Sequence, residues 1–589
     1  MVWKDRSGIT VTVKEVKDMR YSMISIAVAL AMVSGCASTG GSKPASIAAW
    51  QKPDEPTTCV RTASGKDVVL TGDSISLQKN DRGCFGSDSS MCDIRMYQIM
   101  TESFRHGSGG ASGPLKSWGP SSHTGNLRGV IDSLDYIKST GANAIWLTPI
   151  FTTLPVAGQD WTYDKLDGTG YYTSDYFSID PKFGTKEELI SLVNKAHAKG
   201  MYVFLDGVFG HAKANVAVKS PKGNELKLSI RCLDLFGNVD KMSLKQARCF
   251  ETEPSMPFLK EVASYWIKEA KIDGWRLDQA YQLKNEFWKE LSDEVAKTSK
   301  TVTYKMNGKK VHPLGYMVGE IWSEQPKDIE RTAFKNNALI SAFNFPLRAE
   351  LVKVLASREN IFDRSACGQP ATELQAGYRK MQGYTEGSMP NMFLSNHDLV
   401  RFGDLLQRAR YEKEGVHGSS YYDAHRAALS FLAAYSGPIT VYYGDETGDE
   451  TMDFAMQPEN CGKTDRCDDH VSRTDGHVDR LTADEEKLKN DVAAMLKLRD
   501  SHKALSHGVR THLFSDHGLF IDFKSYGKDR IIYALNAGTS ERKVRFEDSV
   551  WNKLGYGSCT IRSLNGSRLQ GNELVLPGLS GSFYEAQCR

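Results

Sequence analysis

From about residue 93 to residue 446 the chain alternates short, almost uninterrupted apolar runs with longer stretches of helical periodicity. The runs are IRMYQIM, ANAIWLTPI, MYVFLD, IDGWRLD, GYMVGEIW, ALISAFNF, NMFLSNHD and PITVYYGDE. Strands that lack polar alternation are buried on both faces. Helical segments between them make the strands parallel, because a parallel connection needs a crossover. Eight such units predict a (β/α)8 barrel, with a doubly wound open sheet as the rival. Thr185 and Glu188 form a capping box for KEELISLVNKAHAKG, whose Leu189, Leu192, Val193 and Ala196 share one face before Gly200 stops it. The stretch NLRGVIDSLDYIKSTG reads as one helix, and Pro257 as the first helical residue of PFLKEVASYWIKEAK.

The barrel is expected over 93–206 and 257–504, with an irregular insert after strand three at 207–256. From 505 to 589 short strands broken by Gly, Asn and Ser follow one another without helices, which predicts a C-terminal all-β sandwich. Residues 37–92 are expected to be a tether and N-terminal extension, and 1–36 a signal region. In that region Arg20 precedes an apolar run from Met23 to Val33 and then Ser34-Gly35-Cys36, too short to span a bilayer as a helix. VSGC resembles a bacterial lipobox, with Met19 as the start and Cys36 as the lipidated residue; a plain signal peptide is the alternative. Export and a lipid anchor in the cell envelope follow, periplasmic or surface-facing. Ala37 and Ser38 offer no inner-membrane retention signal, which favours the outer membrane.

An oxidising destination agrees with the cysteines. Of 11, lipidation of Cys36 leaves an even ten. Proximity suggests Cys84–Cys92, Cys232–Cys249, Cys461–Cys467 and Cys559–Cys588, which leaves Cys59–Cys367. No CxxC pair suggests zinc. The 74 basic and 72 acidic side chains give a net charge of +2, and no basic block is interleaved with aromatics. That balance argues against a nucleic-acid partner and for a neutral ligand. A monomer is expected.

Polar residues at the ends of the predicted strands carry the chemistry, since the C-terminal mouth of such a barrel holds its active site. Strand three offers Asp206 and then His211, strand four Arg276 and Asp278, strand five Glu320, and strand seven His397 and Asp398. Arg276 and Asp278, two apart, point to one side of their strand. Paired carboxylates suit glycoside hydrolysis, in which one stays ionised as nucleophile and the other donates a proton. Arg276 beside Asp278 favours the anion, whereas Glu320, next to Ile321 and Trp322 and close to other anions, is suited to remain protonated. Trp161 and Tyr163, in the loop AGQDWTYDKLDG, are candidates for stacking on sugar rings or for simple packing.

Together, LDGVFGH, GWRLD, GEIW and FLSNHD resemble the four ordered signature regions of the alpha-amylase family, glycoside hydrolase family 13. The resemblance covers roughly 93–589. It implies Asp278 as nucleophile, Glu320 as general acid/base and Asp398 as transition-state stabiliser, with Asp206, His211, Arg276 and His397 around the scissile sugar. Tyr171 matches the tyrosine that stacks beneath that sugar. Two positions depart from the pattern. Gly210 stands where the family usually has an asparagine ligand of a structural calcium, and Tyr281-Gln282 replace a common Lys-His that touches the leaving sugar. Tyr281 therefore becomes a substrate-binding candidate. No cofactor is required for the chemistry, and the metal site is open to question.

The resemblance implies retaining hydrolysis of internal α-1,4 bonds in starch, glycogen or maltodextrins. A maltooligosaccharide-specific α-glucosidase, a maltogenic exo-enzyme and a glucanotransferase share the same set and remain alternatives. A non-catalytic glycan-binding protein is the alternative from another class. The N-terminal reading predicts that the full chain expressed in a bacterial host incorporates labelled palmitate and enters the detergent phase, and that Cys36→Ser does neither. An unlabelled parent chain would contradict it.

Overall fold

The computed structural model describes residues 59–589 except 81–82, 156–158, 160, 215–218, 243–246, 358–366, 410, 412–419 and 452–469. The signal region, Cys36 and the Cys461–Cys467 pair lie outside the described residues.

Eight parallel strands form one sheet: β1 (Arg95–Ile99), β2 (Ala144–Leu147), β3 (Tyr202–Gly207), β4 (Gly274–Leu277), β5 (Tyr316–Gly319), β6 (Ser341–Ala342), β7 (Met392–Phe393) and β8 (Ile439–Tyr442). Their order is 6-5-4-3-2-1-8-7, and a parallel bridge between Phe343 and Asn391 joins the two ends. The sheet is thus a closed barrel. Closure explains the continuous apolar runs: one set of side chains fills the interior while the alternate set meets the helices. Met96, Ala144, Trp146, Phe204, Tyr316, Val318, Phe343 and Phe393 cluster inside. Tyr97, Ile145, Leu147, Val203, Leu205, Trp275 and Leu277 pack outward in the larger core.

The helix Lys186–Ala198 has its capping box at Thr185 and Glu188. Other details differ from expectation. The helix before β2 breaks at Ser133 into Leu127–Asp132 and Leu134–Ser139. The helix before β4 begins at Thr252, not at Pro257. Pro254 already occupies its first turn, where a missing N–H costs nothing, and Pro257 is carried in the interior. The loop expected around Trp161 includes a helix, Trp161–Thr169.

The insert is more ordered than its irregular sequence suggests. His211–Lys213, Leu228–Ser229 and Ala247–Phe250 form an antiparallel sheet, flanked by a hairpin of Arg231–Leu233 and Val239–Lys241. Strands of two to four residues are too short for alternation to register. Cys232 bonds Cys249 and ties hairpin to sheet; closing so short a loop is worth about 3 kcal/mol in a chain-entropy account. Cys59–Cys367, Cys84–Cys92 and Cys559–Cys588 are also bonded.

The C-terminal region is a sandwich of a six-stranded and a four-stranded sheet around Leu513, Ile521, Phe523, Val544, Trp551, Leu574 and Tyr584. It departs from expectation twice. A helix, Asp548–Leu554, covers one end. The N-terminal extension also gives an edge strand to each sheet: Val68–Leu70 pairs with Arg542–Phe546, and Gln78–Asn80 with Val509–Ser515. Residues 59–80 therefore complete the β domain in addition to leading into the barrel.

Candidate active site

The barrel's period of two builds the site. Inward residues run Met96 and Gln98 on β1, Phe204 and Asp206 on β3, Val318 and then Glu320 on β5. On β4 the same inward set is Gly274, Arg276 and Asp278. Apolar groups thus fill the lower interior and polar groups its C-terminal mouth. Gly274 has φ +149°, and a Cβ there would lie 1.8 Å from the Tyr316 carbonyl oxygen, so only glycine lets β4 approach β5 here. In the β3–β4 ladder Arg276 is the register partner of Asp206.

Arg276 is fully buried. Its Nη1 donates to Asp206 Oδ1 and Oδ2 at 2.9 and 3.0 Å and to Asp278 Oδ1 at 2.9 Å. Its Nη2 lies 2.9 Å from Glu320 Oε2. One guanidinium therefore contacts three carboxylates, all buried. Asp206 also accepts from Trp146 Nε1 at 3.2 Å and Tyr171 Oη at 2.9 Å. Glu320 Oε2 accepts from the Gln279 backbone N–H at 3.2 Å, and Gln279 takes a left-handed φ of +40° to offer it.

His397 links this cluster to Asp398. Its Nδ1 lies 2.7 Å from Gln98 Nε2, an amide donor, and its Nε2 lies 2.6 Å from Tyr171 Oη. The network places a single ring proton on Nε2, so the imidazole is neutral. Burial likewise holds its pKa well below the usual value, with Arg473 and Arg276 adding to the effect and Asp398 opposing it. The Tyr171 ring stacks on the His397 ring at 5.5 Å. Asp398 Oδ2 is 3.3 Å from His397 Nε2, and its Oδ1 accepts from Arg473 Nη2 at 2.8 Å.

Electrostatics separates the acids. Burial pushes the Glu320 carboxyl up to about 8, reinforced by the charges of Asp278 and Asp398 and opposed by Arg276. Asp398 goes the other way: burial alone would raise it, but the neighbouring Arg473 and His470 hold it well below the ordinary carboxylate range. The site thus offers a protonated acid and a carboxylate anion in one mouth, the division of labour that acid-assisted cleavage needs.

The structure brings Tyr171, Asp206, Arg276, Asp278, Glu320, His397 and Asp398 into this network. Tyr281 stands at its edge, with its hydroxyl on Gln279 Oε1 at 2.9 Å. His211 packs its ring against Tyr172 and gives Nδ1–H to Gln282 Oε1 at 2.8 Å. The Trp161 and Tyr163 side chains lie outside the described residues. Sequence reasoning missed Gln98, Trp146, Gln279, His470 and Arg473. Gln98 had a signal, a polar residue inside the fully buried run IRMYQIM.

Gly210 itself offers no side-chain oxygen to a cation, and a Cβ there would lie 2.2 Å from Gln282 Oε1, so the Gln282 amide fills the space beside it. Among the described residues, no group of three or more His, Cys, Asp or Glu side chains is arranged to hold a metal. Lys213 ends the insert strand His211–Lys213 and is buried. Its Nζ donates to Leu154 O at 2.8 Å, Gln159 Oε1 at 2.9 Å and Asp167 Oδ2 at 2.6 Å, fastening the insert to the loop after β2.

Comparison with known proteins gives a consistent answer. A family model described as the alpha-amylase catalytic domain matches residues 98–226 and 249–510. A cyclomaltodextrinase from a Bacillus species is 29% identical over 449 residues, 71% of this chain and 67% of the relative. An intracellular maltogenic amylase from Bacillus subtilis strain 168 is 27% identical over 484 residues, 77% of this chain and 70% of the relative. The crystal structure of AmyP with maltotriose superposes with a TM-score of 0.75 at 40% identity, covering 84% of this chain and 97% of that one.

The Gly210 geometry predicts that EDTA leaves the melting temperature unchanged and that added calcium does not raise it. A fall of several degrees on chelation, reversed by calcium, would contradict this.

Proposed function

The chain belongs to the alpha-amylase family of glycoside hydrolases, and we propose that it cleaves α-1,4-glucosidic bonds in short maltooligosaccharides and cyclic dextrins with retention of anomeric configuration. The observation that carries the chemistry is the contact of Asp206, Asp278 and Glu320 with the single Arg276 guanidinium. Relatives named cyclomaltodextrinase and maltogenic amylase support the oligosaccharide-acting alternative over internal attack on starch, the reading placed first from sequence. Maltotriose bound to AmyP supports a substrate of that size.

In this reading a glucosyl unit sits over Tyr171 with its anomeric carbon facing Asp278. Glu320 protonates the bridging oxygen as Asp278 attacks, giving a covalent glycosyl-enzyme and a free leaving sugar. Glu320, now a carboxylate, takes a proton from water as that water attacks the anomeric carbon and releases Asp278. Positive charge develops on the sugar ring in both steps, and the anionic Asp398 and Asp278 stabilise it. Arg276, 2.9 Å from Asp278 Oδ1, keeps the nucleophile aimed. Tyr171 and neutral His397 offer polar atoms to the sugar without adding a repelling cation. Export by the N-terminal signal and anchoring through Cys36 would place this activity at the cell envelope; the pairing of eight described cysteines supports an oxidising compartment.

Two outcomes are expected. With maltotriose, β-cyclodextrin and amylose as separate substrates, kcat/KM is highest on the first two and maltose dominates the early products. A broad ladder of long maltooligosaccharides from amylose, with cyclodextrin untouched, would return the assignment to an internal-cleaving amylase. Asp278→Asn should lower kcat by at least about 10⁴-fold with an unchanged circular dichroism melt.

Because the acid form of Glu320 is needed and its pKa is raised to about 8, kcat/KM holds up to neutral pH and falls as pH rises through that value. An alkaline limb below pH 6 would contradict the assignment of Glu320 as the acid.

A further inference from the structure

We infer that Arg473 is a positioning residue for Asp398, gripping the main chain of one residue and the carboxylate of the next so that the segment after β8 sets the aim of the transition-state carboxylate. The inference rests on the glycosidase reading above, in which Asp398 stabilises charge on the sugar.

Arg473 is 1% exposed. Its Nε donates to the His397 carbonyl at 3.0 Å and its Nη2 to Asp398 Oδ1 at 2.8 Å. Two donors on one rigid fork fix both the backbone after β7 and the direction of the Asp398 side chain; a flexible ammonium could supply the charge but not the angle. The contact belongs to a longer zipper, since Ser472 Oγ donates to the Asn396 carbonyl at 2.8 Å. Asn396 Oδ1 in turn accepts from the Asp398 and Leu399 backbone N–H groups, each at 2.9 Å.

The segment is itself seated by the loop after β1. Ser121 N–H donates to the Arg473 carbonyl at 3.1 Å, and Ser122 donates from N and Oγ to Asp475 Oδ1 at 3.0 and 2.7 Å. At Gly119, φ is +103° and a Cβ would lie 2.7 Å from Arg473 Cβ, so the β1 loop presses directly on the arginine. Loops from β1 and β8 therefore converge on one carboxylate.

Arg473 Nη1 is buried without a hydrogen-bond partner, so the Nε and Nη2 contacts are the ones that fix the direction of the fork. Other groups also face Asp398: His397 from its own strand end, His470 Nε2 at 3.3 Å from Oδ1, and Glu320 and Tyr171 from across the mouth. His470 can supply charge when protonated, but Arg473 is the cation whose second donor also holds the main chain.

The test compares the full-length wild type with Arg473→Gln, Arg473→Lys and His470→Gln on maltotriose. It reads kcat, KM, acarbose inhibition, the pH profile and the thermal melt. Misaiming one reacting-centre contact typically costs on the order of 10²-fold, which is the expected loss of kcat in Arg473→Gln. KM should stay within about threefold, because ground-state binding is not what the aim of Asp398 supplies. Acarbose, which mimics the charged, flattened ring, should weaken in step with kcat. Arg473→Lys should recover part of the rate and His470→Gln most of it. Removing the cation raises the Asp398 pKa, so the acidic limb of kcat/KM in Arg473→Gln should move to higher pH. A folded Arg473→Gln with kcat within about threefold of wild type and an unmoved acidic limb would overturn the inference. If that variant fails to fold, a stable Arg473→Lys with undiminished kcat does the same. Absence of wild-type turnover on maltotriose and every other α-glucan would instead remove the glycosidase reading beneath it.

Discussion

Three carboxylates meet one guanidinium inside a closed barrel, and the geometry of the mouth follows from that contact. Desolvating each of these charges costs several kcal/mol, and the attraction offsets this only where hydrogen bonds satisfy the remaining atoms. Asp206 accepts from Arg276, Tyr171 and Trp146, yet burial still raises its carboxyl to about 7. Glu320, with one ion-pair contact and one backbone N–H, is raised further, to about 8. The contrast in protonation that the chemistry needs lies between Glu320 and Asp398, which its own cationic neighbours hold well below the ordinary carboxylate range. Removing Arg276 would leave its partners without a counter-charge, a change that typically costs about 3–5 kcal/mol.

The strands aim the lower half of the site and the loops aim the rest. Gly274 and the β3–β4 register set Arg276, Asp206 and Asp278 as part of the barrel itself. Asp398 lies beyond the short β7, outside the ladder, and its position is set by side chains from the β8 segment resting on the β1 loop. The insert is fastened in a third way. Gln282 fills the space beside Gly210, Lys213 reaches the loop after β2, and Cys232–Cys249 braces the hairpin.

The barrel was legible because burial on both faces removes polar alternation, so each of the eight runs stands out from its flanks. The acids were legible because strand ends are where a barrel displays polar groups. What stayed hidden had weak local signals. The insert strands are too short to show a period, and Pro254 offered a helix start one turn before Pro257. The edge strands Val68–Leu70 and Gln78–Asn80 are defined by partners more than 400 positions away. Arg473 is specified by a contact across 75 residues, and nothing in HVSRTDGH distinguishes it from a surface arginine. Gln98 was visible as a polar intruder in a buried strand but had no assigned partner until His397 was placed beside it.

The central claim is that Asp278, held by Arg276, attacks the anomeric carbon while Glu320 supplies the proton. The most direct measurement is to trap the covalent intermediate with a 5-fluoro-α-glycosyl fluoride, digest the protein and locate the added sugar by mass spectrometry. The account predicts one equivalent, ester-linked to the Asp278 carboxylate. A sugar attached to Glu320, Asp398 or Asp206 would contradict it.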